Sequence, residues 1–261
     1  FDQALKINPQ DSKTMRGKAD LLFAMENYSS ALVSYSAALQ EDAENKNISA
    51  LYGKGQALGR LGRAKEAIEC YRQIQEQEPD NIMALQEIGD SLLAADNPSG
   101  AAEVYGRILA KDPGNEQAML ALADAYYAQE DFGPALKSYE ELLVHDGNFT
   151  NAWTGRGNIL LFRKDVDPAI ECFRRAIAIE PQNTDALMGM ADALYEKGNL
   201  EEAQIYYDTT LAENRENVRA LRGLGNILCA QGEYSESILF FDRALRLEPQ
   251  DIDSLMGKGL A

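Results

Sequence analysis

From Thr150 to Pro181 the apolar positions fall at helical spacing. Trp153, Gly157 and Leu160 stand four and three residues apart. Ala169, Phe173 and Ala176 repeat that spacing, and Pro181 closes the stretch. Residues three or four apart share one face of a helix, so the pattern predicts two amphipathic helices. Gly157 and Ala169 are small where one helix would press against the other.

The same unit recurs along the chain. With Ser12, Ile48, Ile82, Glu116, Thr150, Thr184 and Val218 as first residues, the spacing is 36 once and 34 five times. The eighth slot then holds Ala19, Gly55, Gly89, Ala123, Gly157, Ala191 and Gly225. The twentieth holds Ala31, Ala67, Ala101, Ala135, Ala169, Ala203 and Ser237. Small residues in both columns suit two helices crossing at close range. The twenty-fourth slot is always aromatic: Tyr35, Tyr71, Tyr105, Tyr139, Phe173, Tyr207 and Phe241. The fourth slot (Met15, Leu51, Leu85, Met119, Trp153, Leu187, Leu221) and the eleventh supply core-facing knobs, so truncating Trp153 is expected to leave a large cavity. Pro79, Pro113, Pro181 and Pro249 stop the second helix, because proline cannot continue the hydrogen-bond ladder. Ala43, Gly147 and Arg215 take that slot elsewhere, and the Glu41–Asn47 link is two residues longer, so those junctions are expected to be looser or differently angled.

These columns resemble the tetratricopeptide repeat (TPR), a helix–turn–helix unit of 34 residues. The resemblance implies an all-α fold, a right-handed α-α superhelix in which neighbouring pairs stack into one continuous core. Full repeats would span 12–47, 48–81, 82–115, 116–149, 150–183, 184–217 and 218–251. Residues 1–11 match the tail of a second helix, with Phe1, Ala4 and Pro9 in register, and 252–261 match the start of a first helix, with Leu255 and Gly259 in register. The expectation is a single solenoid over 1–261 that is a fragment of a longer array.

Composition narrows the chemistry. Of 261 residues 45% are hydrophobic and 26% charged, which suits a folded core. The formal charge of −17 repels phosphate backbones and anionic membranes, so nucleic acid is not expected as a partner, nor is direct membrane insertion. No apolar run reaches the roughly 18 residues that span a bilayer. Cys70, Cys172 and Cys229 form no CxxC pair and read as free thiols in a reducing, cytoplasmic setting.

No catalytic set, metal site or cofactor is expected. His145, the sole histidine, falls at a repeat turn without Cys or His nearby in sequence. The GxG doublets at Gly53, Gly155, Gly223 and Gly257 recur inside helices without a preceding strand, which fits close packing rather than a phosphate loop. Adjacent acids such as Glu140–Glu141 and Glu201–Glu202 do not face one another on a helix. Sequons at Asn27, Asn47 and Asn148 would matter only on a secretory route.

Function is then expected in the surface that repetition creates. In the family that the repeats resemble, slots two, five, nine, twelve and thirteen of the first helices line a concave wall. The ninth slot reads Asp20, Gln56, Asp90, Asp124, Asn158, Asp192 and Asn226, a ladder of acceptors for backbone amides or for Lys and Arg of an extended peptide. Around it stand Met83, Leu93, Leu120, Tyr127, Leu161, Phe162, Met188 and Tyr195, apolar residues expected to form a docking surface. Two bland alternatives stay open. Slot-twelve side chains would fill gaps between first helices, and the slot-nine aspartates would cap or pair with a neighbouring repeat. Slot five (Arg16, Tyr52, Gln86, Leu120, Thr154, Met188, Arg222) lacks the Lys–Asn–Asn–Lys–Arg pattern of co-chaperone carboxylate clamps, so that ligand is not expected.

The leading expectation is a non-enzymatic scaffold that holds an extended or helical segment of a neutral to basic protein partner. Alternatives are head-to-tail self-assembly through the two half-repeats, giving a homo-oligomer, and the substrate-recruiting part of a larger enzyme. RNA reading by a helical-repeat protein would need a basic face, which the charge opposes.

Overall fold

The computed structural model describes residues 1–42 and 47–261. Ala43 and the inserted part of the Glu41–Asn47 link lie outside the described residues. Among the described residues every regular element is a helix, and no strand occurs. First helices begin at Ser12, Ile48, Ile82, Glu116, Thr150, Thr184, Val218 and Ile252, each followed by a second helix except the last.

The chain divides into two compact units, Phe1–Asp131 and Phe132–Ala261. The first contains α1 (Asp2–Ile7), α2 (Ser12–Ala24), α3 (Tyr28–Gln40), α4 (Ile48–Arg60), α5 (Ala64–Gln77), α6 (Ile82–Ala94), α7 (Pro98–Lys111) and α8 (Glu116–Ala128). The second contains α9 (Phe132–His145), α10 (Thr150–Phe162), α11 (Val166–Ile179), α12 (Thr184–Lys197), α13 (Leu200–Glu213), α14 (Val218–Gln231), α15 (Tyr234–Leu247) and α16 (Ile252–Leu260). Within each unit every helix packs on the next, and first helices also touch one another: α2 on α4 in the first unit, and α10, α12, α14 and α16 in succession in the second.

The aromatic column explains the small ones. In the first unit a Cβ on Gly55 would fall 2.6 Å from the Tyr71 ring, and one on Gly89 would fall 2.6 Å from Tyr105. In the second unit Phe173 is wedged between Gly157 of its own repeat and Gly189 of the next, and Phe241 between Gly225 and Gly257. Phe173 and Phe241 thus each join two repeats by occupying the space of absent side chains. The GxG doublets are packing notches.

Local chemistry sets the ends of the helices. Asn47, Asn81, Asn115, Asn183 and Asn217 accept a hydrogen bond from the amide three residues on, a standard N-cap. Asn27 caps α3 in the same way, so two of the three sequon asparagines serve the fold. Second helices end two residues before proline, with Glu78, Asp112, Glu180 and Glu248 at ψ of 83–91°, outside the helical region that a following proline disfavours. At the Arg215 junction the backbone is not differently angled. Asn214 takes the same conformation without proline, φ −133° and ψ 96°, because the cap bond from its amide to the Thr210 carbonyl closes the turn equally well.

Between the helices of a pair the chain needs one left-handed residue. Gly62, Gly198 and Gly232 supply it, and so do Glu26, Asp96, Glu130 and Lys164, with φ between 57° and 64°. All seven fall at slot fifteen.

Candidate functional site

The predicted site residues fall into two sets. Met83, Asp90 and Leu93 stand on α6, with Leu120, Asp124 and Tyr127 on α8, all in the first unit. Asn158, Leu161 and Phe162 stand on α10, with Met188, Asp192 and Tyr195 on α12 and Asn226 on α14, all in the second.

The acceptor ladder is wired into the fold. Tyr35 Oη donates to Asp20 Oδ1 at 2.8 Å, Tyr105 to Asp90 at 2.5 Å and Tyr207 to Asp192 at 2.6 Å. The slot-twenty-four ring thus ends its path through the core at the slot-nine carboxylate of its own repeat. Where that ring is Phe173 or Phe241, slot nine is Asn158 or Asn226, and no phenol is present to anchor a carboxylate. Burial first, then the neighbouring carboxylate, raises the phenol pKa of Tyr35 and Tyr105 well above the ordinary range. Asp90 is itself raised, by desolvation first, against the lowering bond from Tyr105. In the second unit Arg219 Nη2 also holds Asp192 Oδ2 at 2.8 Å.

Of the apolar candidates, Met83, Phe162 and Tyr127 are exposed. The Phe162 ring lies 4.8 Å from that of Phe132. Leu93 packs partly against the core of the first unit, and Leu161 and Tyr195 against that of the second, as the gap-filling alternative has it. Leu120 is half-buried. Met188 is a correction: it is 1% exposed and belongs to the core. Slot five turns into the seam between neighbouring first helices, where Thr154 is also buried with Oγ1 on the Thr150 carbonyl. The same seam holds Arg222 against Asp251 and Asp253.

Trp153 is a second correction. Leu51, Leu85, Leu187 and Leu221 at its slot are at most 3% exposed, whereas Trp153 is half-buried. Its Nε1 donates to the Gly147 carbonyl at 2.8 Å, and the guanidinium carbons of Arg175 and Arg156 lie 5.1 and 5.8 Å from its ring. An indole is too large for a leucine notch and keeps its N–H by leaning out to the turn.

Glu87 is the residue that sequence columns should have exposed. Slot six reads Gly17, Gly53, Glu87, Ala121, Gly155, Gly189, Gly223 and Gly257, and the single carboxylate stands out. Its Oε1 accepts from Tyr52 Oη at 2.7 Å and Gln56 Nε2 at 3.2 Å, and its Oε2 from Tyr71 Oη at 3.0 Å. In the preceding repeat, 48–81, slot nine is Gln56, and the Tyr71 hydroxyl turns to Glu87 of the next repeat instead.

Among the described residues no three His, Cys, Asp or Glu side chains gather as metal ligands. Cys70 and Cys172 are free and buried, and desolvation raises both thiols. No described helix is long and apolar enough to cross a membrane.

Three family models match parts of the chain. They are the tetratricopeptide repeat over residues 188–252, the middle TPR-like domain of cilia and flagella-associated protein 70 over 119–218, and the N-terminal TPR repeats region of Psidin over 22–142. A tetratricopeptide repeat protein from Parabacteroides merdae ATCC 43184 matches 96% of this chain and 98% of its own, at 20% identity and a TM-score of 0.78. Yeast Tom70 matches all of this chain and 57% of its own, at 16% identity and a TM-score of 0.70. YrrB, described as a TPR protein with an unusual peptide-binding site, matches 74% of this chain and 99% of its own, at 17% identity and a TM-score of 0.57. The repeat columns, the stacked helix pairs and these matches together identify the chain as a tetratricopeptide-repeat protein.

Proposed function

We propose that the chain is a non-enzymatic interaction scaffold whose first helices hold an extended or helical segment of a protein partner. The observation that carries this reading is the fixed polar row on those helices. Asp20, Glu87 and Asp90 in the first unit and Asp192 in the second are oriented by buried tyrosines. Acceptors held in place lose little side-chain freedom on binding, so more of their interaction is left as affinity. Exposed Met83 and Tyr127 in the first unit and Phe162 in the second add apolar contact beside that row. YrrB's peptide-binding site gives the reading a precedent in the same fold. The acidic row and the charge of −17 favour a neutral to basic segment.

Peptides selected from a random library against the intact chain test it. Asp192→Asn keeps an acceptor for Tyr207 and removes one charge, and Met83→Glu and Phe162→Glu put a charge on apolar surface. For basic peptides, Asp192→Asn should weaken binding about tenfold if they use this row. Affinities unmoved by all three substitutions, with helicity intact, would reject the reading.

A further inference from the structure

We propose that the cleft between α4 and α6 in the first unit is a pocket for a protonated lysine or arginine side chain carried by the partner segment. The inference rests on the groove reading above and assigns one of its contacts. Three departures from the repeat pattern meet here. Slot twelve holds Phe23, Leu93, Tyr127, Leu161, Tyr195 and Cys229 elsewhere, but Gly59 in this repeat. Slot nine holds Gln56 where the other repeats have Asp or Asn, and slot six of the next repeat holds Glu87 where they have Gly or Ala. Gly59, Gln56 and Glu87 line a single cavity with Phe23, Tyr71 and Asp90.

Packing does not require Gly59. A Cβ there would meet nothing within 4 Å, and glycine in a helix costs about 1 kcal/mol relative to alanine. The effect of the glycine is to leave the cleft open. At its floor Glu87 is fixed by Tyr52, Gln56 and Tyr71, so the carboxylate is positioned before any ligand arrives. Asp90 lies three residues on along α6, on the same helix face. Its bonds from Tyr105 and Gln86 both fall on Oδ1, and Oδ2 accepts none among the described residues. Desolvation and the nearby Glu87 raise the Asp90 pKa, a charge environment that a bound cation would relieve. The Phe23 ring, set edge-on to Tyr28 at 5.2 Å, gives the cavity an aromatic side of the kind that attracts cations. Arg60 adds one positive charge to the lining, which leaves two carboxylates against one guanidinium and a net negative pocket.

Short glycine–serine peptides with one central lysine, arginine or norleucine serve as probes, followed by NMR of the isotope-labelled chain. The lysine or arginine peptide should shift the amides of Gly59, Gly62 and Ala94, and the norleucine peptide should not. Gly59→Leu, which installs the residue found at Leu93 and Leu161, should abolish those shifts while the thermal melt holds or rises, since a helical glycine is replaced by a better helix former. Glu87→Gln, which removes the charge and keeps one carbonyl oxygen to accept from a tyrosine hydroxyl, should weaken peptide binding about tenfold. Equal shifts from norleucine, or shifts that survive Gly59→Leu, would overturn the pocket. If selected peptides bind the chain normally after Gly59→Leu, the groove reading stands and the pocket falls. If the lysine probe binds as expected but no selected peptide does, the pocket stands and the groove reading falls.

Discussion

Tyr105 donates its hydroxyl proton to Asp90 Oδ1 across 2.5 Å, joining the buried end of one helix pair to its outer polar row. Tyr35 with Asp20 and Tyr207 with Asp192 repeat the arrangement, and the phenylalanine repeats carry asparagine instead. The two slots behave as one unit. Tyr105→Phe and Asp90→Asn should each cost about 1–2 kcal/mol, since each weakens a hydrogen bond to a charged group. The double variant recreates the Phe173 and Asn158 pair and should cost about 1 kcal/mol less than the sum. Urea denaturation of the four proteins gives the coupling directly.

The tyrosines also set an alkaline limit. Tyr35, Tyr52, Tyr71, Tyr105 and Tyr207 all have pKa values raised above the ordinary phenol value of 10, by desolvation first. The folded state holds these protons more tightly than the unfolded chain does. Their contribution to stability is therefore complete below pH 10 and is lost as pH climbs toward the folded values. Absorbance at 295 nm should show these phenols ionising only together with loss of helicity. Independent ionisation in a chain that stays helical would contradict the shifts.

Trp153→Ala should cost about 1–2 kcal/mol rather than the roughly 3–5 expected for a fully buried tryptophan. The ring is only partly buried, and its contacts include the turn carbonyl and two guanidinium groups. A thermal or urea melt distinguishes the two magnitudes.

At slot fifteen, Gly198→Ala should destabilise by about 1 kcal/mol, because φ of +87° crowds a Cβ. Glu130→Gly at φ 58° should stabilise by about 0.5–1 kcal/mol. Calorimetry of both variants checks the opposite signs.

These residues show what could be read without coordinates. Columns at slots eight, twenty and twenty-four carried the fold, because a ring that occupies a neighbour's missing side chain leaves a constant mark at both positions. Slot fifteen escaped notice because four of its seven residues are not glycine, and the turn tolerates them at a cost. The polar row was legible as residue types, but its commitment to tyrosine was not. That commitment shows only when slots nine and twenty-four are compared repeat by repeat. Met188 misled because slot five faces the seam between helices as well as the open face. Glu87 breaks a column that is otherwise Gly or Ala, and its role depends on Tyr52, Gln56 and Tyr71, which stand at other slots.

The proposed function requires partners to bind on the first helices. NMR mapping of a library-selected peptide on the labelled chain tests it most directly. Contacts are expected on first-helix residues, such as Met83, Asp90 and Tyr127 in the first unit or Phe162 and Asp192 in the second. Contacts confined to second-helix residues such as Val33, Ile205 and Leu239, which are exposed and apolar as well, would contradict it.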